Sequence, residues 1–151
     1  MLQVEEKRLA HLVEQDLETM MHAHWRECSI DRDAVPFDPD WLTAYTMERC
    51  GTLRCFGLFS DGELVGYAVF QVYSHLHFKS TRYASNSGIY VKPECRRGNA
   101  GAKLLVDSEK LLRDAWVRKI TYSVPDASAL GAMLEKGGYA PSERYFTKLV
   151  N

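Results

Sequence analysis

The chain of 151 residues fits a single domain, residues 1–151, with one substantial core. Its 19 basic and 20 acidic side chains, with 46% hydrophobic residues, give the balance of an ordinary globular protein, and no surplus of positive charge points to nucleic acid. No stretch approaches the apolar length of a membrane span. The four cysteines (Cys28, Cys50, Cys55, Cys95) form neither a CxxC pair nor a metal-ligand spacing, which predicts reduced thiols and no metal.

The N-terminal "MLQVEEKRLAHLVEQ" has acidic residues where a signal peptide needs an apolar run, so a cytoplasmic location is expected. A short strand is possible over Leu2 to Glu6. From about Leu9 to Cys28 the residues Leu9, Leu12, Val13, Leu17, Met20, Met21, His24 and Trp25 recur at spacings of three and four, predicting one amphipathic helix. "SIDRDAVPFDPD" breaks the pattern, and Asp38 or Asp40 can cap a second helix, "WLTAYTMERC", which Gly51 ends.

After Gly51 the period becomes two. "TLRCFGLF" and "LVGYAVFQVY" around Asp61-Gly62 predict a β-hairpin, "HLHFKST" a second connection, and "RYASNSGIYV" a third strand that is polar in its first half. A helix is expected over Gly101 to Val117, then a short strand "KITYSV", a short helix "SALGAMLEKGG", and a closing strand in "YAPSERYFTKLV". That order predicts an α+β chain, a mixed sheet of α/β/α type with antiparallel strands first and crossover units after.

Between the third strand and the long helix lies "VKPECRRGNAGAKLL", residues 91–105. The first turn of a helix offers free N–H groups and the positive end of the dipole, glycine admits a close ligand, and arginine adds charge-assisted hydrogen bonds to phosphate. "RRGNAG" therefore reads as an anion cradle. No Gly-Lys-Ser/Thr follows, as a nucleoside-triphosphate loop requires, and the loop comes too late in the chain for a dinucleotide fingerprint.

With Val91 and Pro93 leading in, Arg96 at the first motif position and Gly101 at the last, the segment resembles the acetyl-coenzyme A loop of the GNAT superfamily, the GCN5-related N-acetyltransferases. Asn99 stands where that motif has its middle glycine, and Gly98 lies one position early. "DGELVGYAVF" and "SALGAMLEKGGYAPSERYFTKLV" resemble the family's central hairpin and closing elements, so the likeness spans roughly residues 50–150.

The resemblance implies a splayed central sheet with acetyl-coenzyme A in the gap as acyl donor. The pyrophosphate would rest on Arg96, Arg97, Gly98, Asn99, Ala100, Gly101 and Ala102, and the thioester on the backbone of Ile89, Tyr90 and Val91. The family's acid tyrosine aligns with Leu134, so Tyr145 is expected in its place, ahead of Tyr139. No acidic residue lies between Glu63 and Glu94 to serve as base, which leaves His77, ahead of His75.

Ser85, Asn86 and Ser87 either line the acceptor pocket or belong to a splayed, solvated strand. His22 and His24 lie two positions apart on different helix faces, and Glu18 with His22 lacks a third ligand, so no metal site is expected. The expected reaction moves an acetyl group from acetyl-coenzyme A to the amine of a small molecule or protein. No nucleic-acid or membrane partner is expected, and a homodimer is the candidate assembly. A non-catalytic coenzyme A binding or interaction module on the same fold is the competing reading.

Overall fold

The computed structural model describes residues 1–150, which fall into two compact units, Met1–Thr121 and Tyr122 onward. Among the described residues no helix is long and apolar enough to cross a membrane.

The first unit carries one open five-stranded sheet in the order β1-β2-β3-β4-β5. Its strands are β1 (Leu2–Glu6), β2 (Leu53–Ser60), β3 (Glu63–His75), β4 (Phe78–Val91) and β5 (Lys119–Thr121). The first four pair antiparallel; β5 pairs parallel to β4 after the crossover helix α4 (Ala100–Asp114). This is the expected mixed α+β architecture, and the short first strand is present.

The helical run that the spacing predicts as one piece is two helices, α1 (Leu9–Glu14) and α2 (Leu17–Cys28). Asp16 takes a left-handed conformation, φ 70°, which short polar side chains tolerate better than most. Both helices still bury the same stripe, Leu9, Leu12, Leu17 and Met20, because the break re-aims the axis without changing which residues are apolar. Helix α3 (Trp41–Arg49) starts where the Asp40 carboxylate accepts from the Thr43 N–H at 2.9 Å, an N-cap, and Gly51 ends it at φ 76°.

Asp61 and Gly62 both have positive φ, 49° and 87°, the signature of a tight hairpin turn matched to strand twist. The second connection is tighter than the sequence predicts. β3 and β4 pair out to His75 and Phe78, leaving only Leu76 and His77 in the turn. The polar "FKST" reads as loop because it has no apolar alternation, yet the ladder continues through it, supported by the stacked pair Tyr73 and Tyr83 at 5.8 Å.

Period-two alternation gives the sheet two apolar faces. Leu53, Cys55 and Tyr67 join the core formed by α1, α2 and α3, whereas Phe56, Leu58, Ala68 and Phe70 point the other way, where α4 buries Ala100, Leu104, Leu105 and Leu112. Gly66 sits opposite Val91, and a Cβ there would stand 2.8 Å from the Tyr90 carbonyl.

The second unit contains α5 (Ala129–Lys136), started by the Ser128 hydroxyl accepting from the Gly131 N–H at 3.0 Å. Tyr122 meets Tyr139 edge to face at 5.8 Å. The closing strand predicted over residues 139–150 is not formed; that stretch has no regular structure, and Phe146 is 90% exposed. Pro141 interrupts it, and its unit offers no strand to pair with.

Replacing Gly66 by Ala should cost about 1–3 kcal/mol, because the added methyl meets rigid backbone rather than a movable side chain. Urea unfolding of wild type and variant checks this. Equal midpoints would mean that the β3–β4 spacing relaxes freely.

Candidate active site

Strand β4 is paired along one edge only for most of its length. β3 accompanies it from end to end, with a register shift that sets Gly88 opposite Val69 and Asn86 opposite Phe70, so Ser87 bulges out of the ladder. On the other edge β5 covers only Tyr83, Ala84 and Ser85. Among the described residues no strand follows on that edge from Ser87 to Val91, so the backbone groups that do not pair with β3 have no strand partner there.

That edge leads into the glycine loop. A 3₁₀ turn at Pro93–Cys95 is followed by Arg96, Arg97, Gly98 and the N-cap residue Asn99. Gly98 carries the left-handed angle, φ 83°, with open space where a Cβ would be. Asn99 has an ordinary φ of −107° and makes no side-chain cap, so nothing at its position requires glycine. The N–H groups of Ala100, Gly101 and Ala102 precede the first helical bond, Lys103 N–H to the Asn99 carbonyl, and have no acceptor among the described residues. Ala100 packs into the core, while the half-buried Gly101 and the exposed Ala102 leave the head of α4 an electropositive helix end without bulky side chains.

Arg96 differs from its expected place in the cradle. Its backbone N–H donates to Pro93, its Nε to the Val91 carbonyl at 2.8 Å, and its two terminal nitrogens to both Glu27 oxygens at 2.6 Å each. The guanidinium also lies over the Tyr90 ring, 5.1 Å from its centre. The next residue, Arg97, is exposed and has no partner among the described residues.

Helix α2 supplies the other half of this cluster. His24 stacks on Tyr90 at 5.0 Å, and its Nδ1 is 2.7 Å from the Tyr67 hydroxyl. Burial holds the His24 imidazole below its ordinary value, with Glu27 opposing and Arg96 adding to the effect. The Arg96 hydrogen bonds hold the Glu27 carboxyl below the usual carboxylate range, and burial pushes the Tyr67 phenol up. A neutral imidazole and a neutral phenol are thus packed beneath an ion pair.

The structure does not bring together all the residues that the sequence singles out. Ile89, Tyr90 and Val91 end β4, and the segment from Arg97 to Ala102 follows after five residues, beyond the 3₁₀ turn and Arg96. Ser85 and Ser87 lie upstream on β4, Ser87 exposed at the bulge, and Asn86 faces Phe70 across the ladder. His77 is in the exposed turn at the far end of β4, its N–H donating to His75 Nδ1. Roughly 40 Å of strand, at ~3.3 Å per residue, separates it from Ile89, out of reach of a thioester held there. Tyr145 is 74% exposed and belongs to the irregular C-terminal stretch, not to a strand. Leu134 of α5 is buried.

Sequence reasoning leaves out Glu27 and Tyr67 and leaves His24 as an unassigned member of the helix stripe. The signal was present: Leu17, Met20, His24 and Glu27 continue one helical face, and a polar pair ending an apolar stripe implies buried partners.

The chain matches the model of the Acetyltransferase (GNAT) family over residues 17–136 and belongs to that family. It is a GNAT-type N-acetyltransferase. No curated protein sequence matches it. Among solved structures it is similar to an aminoglycoside acetyltransferase from an uncultured soil metagenomic sample (13% identity, TM-score 0.77, 100% of this chain and 99% of that one). It is similar to a ribosomal-protein-alanine N-acetyltransferase from Brucella melitensis biovar Abortus 2308 (16% identity, TM-score 0.71, 100% and 99%). It is also similar to AAC(6')-Iy in complex with a bisubstrate analogue, CoA-S-monomethyl-acetylneamine (16% identity, TM-score 0.63, 100% and 99%). At these identities the likeness is one of fold.

Because His24 is neutral in the folded protein and binds a proton more readily when unfolded, stability should hold above its ordinary pKa of 6.5 and fall as pH drops below it. The groups facing it are Tyr67 on β3, Tyr90 on β4, Glu27 on its own helix and Arg96 of the loop. Urea unfolding between pH 8 and 5 should show wild type losing stability relative to His24→Phe. Parallel curves would assign the loss to other groups.

Proposed function

We propose that the protein transfers an acetyl group from acetyl-coenzyme A to the amine of a small molecule or protein. One observation carries the reading: the edge of β4 that lacks a strand partner leads through one 3₁₀ turn into a glycine loop and an uncapped helix N-terminus. An extended thioester arm would lie along that edge as an added strand does, by main-chain hydrogen bonds. The N–H groups of Gly98 to Ala102 and the Arg97 guanidinium are suited to a pyrophosphate.

Bound there, acetyl-coenzyme A supplies an activated acetyl carbonyl. Backbone N–H of the Ile89–Val91 stretch polarises that carbonyl by donating to its oxygen as charge builds. The acceptor must arrive as a neutral amine: as its nitrogen bonds to the carbonyl carbon the C–S bond breaks, and the proton that the nitrogen gives up passes through solvent to the departing thiolate. The exposed acidic connection between α2 and α3, with Asp31, Asp33 and Asp38, favours a cationic amine. Leu134, in place of the family's acid tyrosine, favours the second reading, a coenzyme A binding module without turnover.

Thermal unfolding with acetyl-coenzyme A, ATP and NAD separates donor classes. At a hundredfold excess over Kd the true ligand should add about 2.7 kcal/mol. No shift with acetyl-coenzyme A would overturn the donor assignment. Gly101→Asp should abolish the shift, since a carboxylate at the helix head repels the pyrophosphate. The variant should fold at least as well, because the same charge suits the helix dipole. Thiol release across a panel of cationic amines and peptide N-termini then decides between transferase and binding module: release no faster than without enzyme, in a protein that binds the donor, selects the module.

A further inference from the structure

The Arg96 guanidinium has more partners than a phosphate ligand needs. Of its five N–H groups, one meets the Val91 carbonyl and one from each terminal nitrogen meets Glu27, while its face covers Tyr90. The other face of this contact is also built from α2: His24, one turn before Glu27, stacks on the same Tyr90 ring and is tied to Tyr67 of β3. The last two turns of α2 therefore hold the end of β4 and the start of the loop through side chains from four segments.

The ion pair is about 40% exposed on both sides, so its net contribution to folding is small. Its geometry is nevertheless demanding, because only a planar guanidinium can meet a carboxylate in bidentate fashion and reach a carbonyl with its third edge. A contact that adds little stability but fixes orientation suits a positioning role.

Resting on the donor-site reading above, we infer that Arg96 is a positioning residue: clamped by Glu27, it locks the loop Arg97–Ala102 to helix α2, so that donor affinity depends on a helix outside the loop. The pyrophosphate then meets Arg97 and the main chain rather than Arg96. Occupancy of the loop and the order of the C-terminal turns of α2 become one linked property.

Calorimetric titration of wild type, Glu27→Gln, Arg96→Lys and the double variant with acetyl-coenzyme A, paired with amide hydrogen exchange, tests this. Each single variant should weaken binding by about three- to tenfold. The double variant should lose no more than the weaker single one, because both remove the same contact. Acetyl-coenzyme A should slow exchange at residues 24–28 in wild type, and in Glu27→Gln that slowing should vanish while slowing at residues 98–102 persists. Three results would each overturn the clamp: unchanged affinity in Glu27→Gln, tighter binding there, which would mean that Glu27 competes with the pyrophosphate for Arg96, and additive losses in the double variant. Wild-type protein that does not bind the donor would instead remove the underlying donor site, and the clamp with it.

Discussion

A strand with unequal edges organises the molecule. β4 must be held firmly on its β3 side, since its other side has a strand partner for only three residues, Tyr83 to Ser85. Everything near the candidate site answers that demand. Gly66 lets β3 approach to within contact of the Tyr90 carbonyl, the bulge at Ser87 bends the strand where β5 has ended, and α2 grips its end through Tyr90. An unsupported edge strand is normally a liability for self-association, and short length or covering charge is the common remedy. Here the stretch beyond β5, Ser87 to Val91, is short, and its last carbonyl already accepts from Arg96 Nε, which limits its use as a template for another chain.

The electrostatics of the cluster follow from burial rather than from net charge. His24 and Tyr67 are most easily buried as neutral groups that satisfy one another, and the charged pair Arg96–Glu27 stays at the surface, where desolvation is cheap. Had the histidine been protonated, a cation would stand beneath the guanidinium with only Glu27 to balance both. The order of the layers, neutral inside and ionic outside, is what allows a polar cluster at the end of an apolar helix stripe.

The fold was largely legible because its signals are local. Asp61-Gly62 dictates a turn by backbone angle, Asp40 and Gly51 bracket α3, and period-two runs identify β2 and β3. What failed to show was set by partners distant in sequence. The strand through Lys79 to Thr81 exists because β3 extends beside it, despite a polar composition that reads as loop, whereas residues 139–150, read as strand from their composition, pair with no strand. The loop was readable as an anion cradle, whereas the role of Arg96 was not. Motif position says that an arginine stands there; only the approach of Glu27, 69 residues away in the chain, says what its side chain holds.

Asn99 is best understood in the same physical terms. A motif glycine marks a place where the backbone needs either a left-handed angle or room for a ligand, and in this chain Gly98 takes the angle while Gly101 and Ala102 keep bulky side chains away from the helix head. The glycine requirement has been displaced by one position rather than lost. A donor site of the kind proposed, built mostly from main-chain N–H groups that every sequence carries, tolerates extensive side-chain change provided the turn and the strand edge persist.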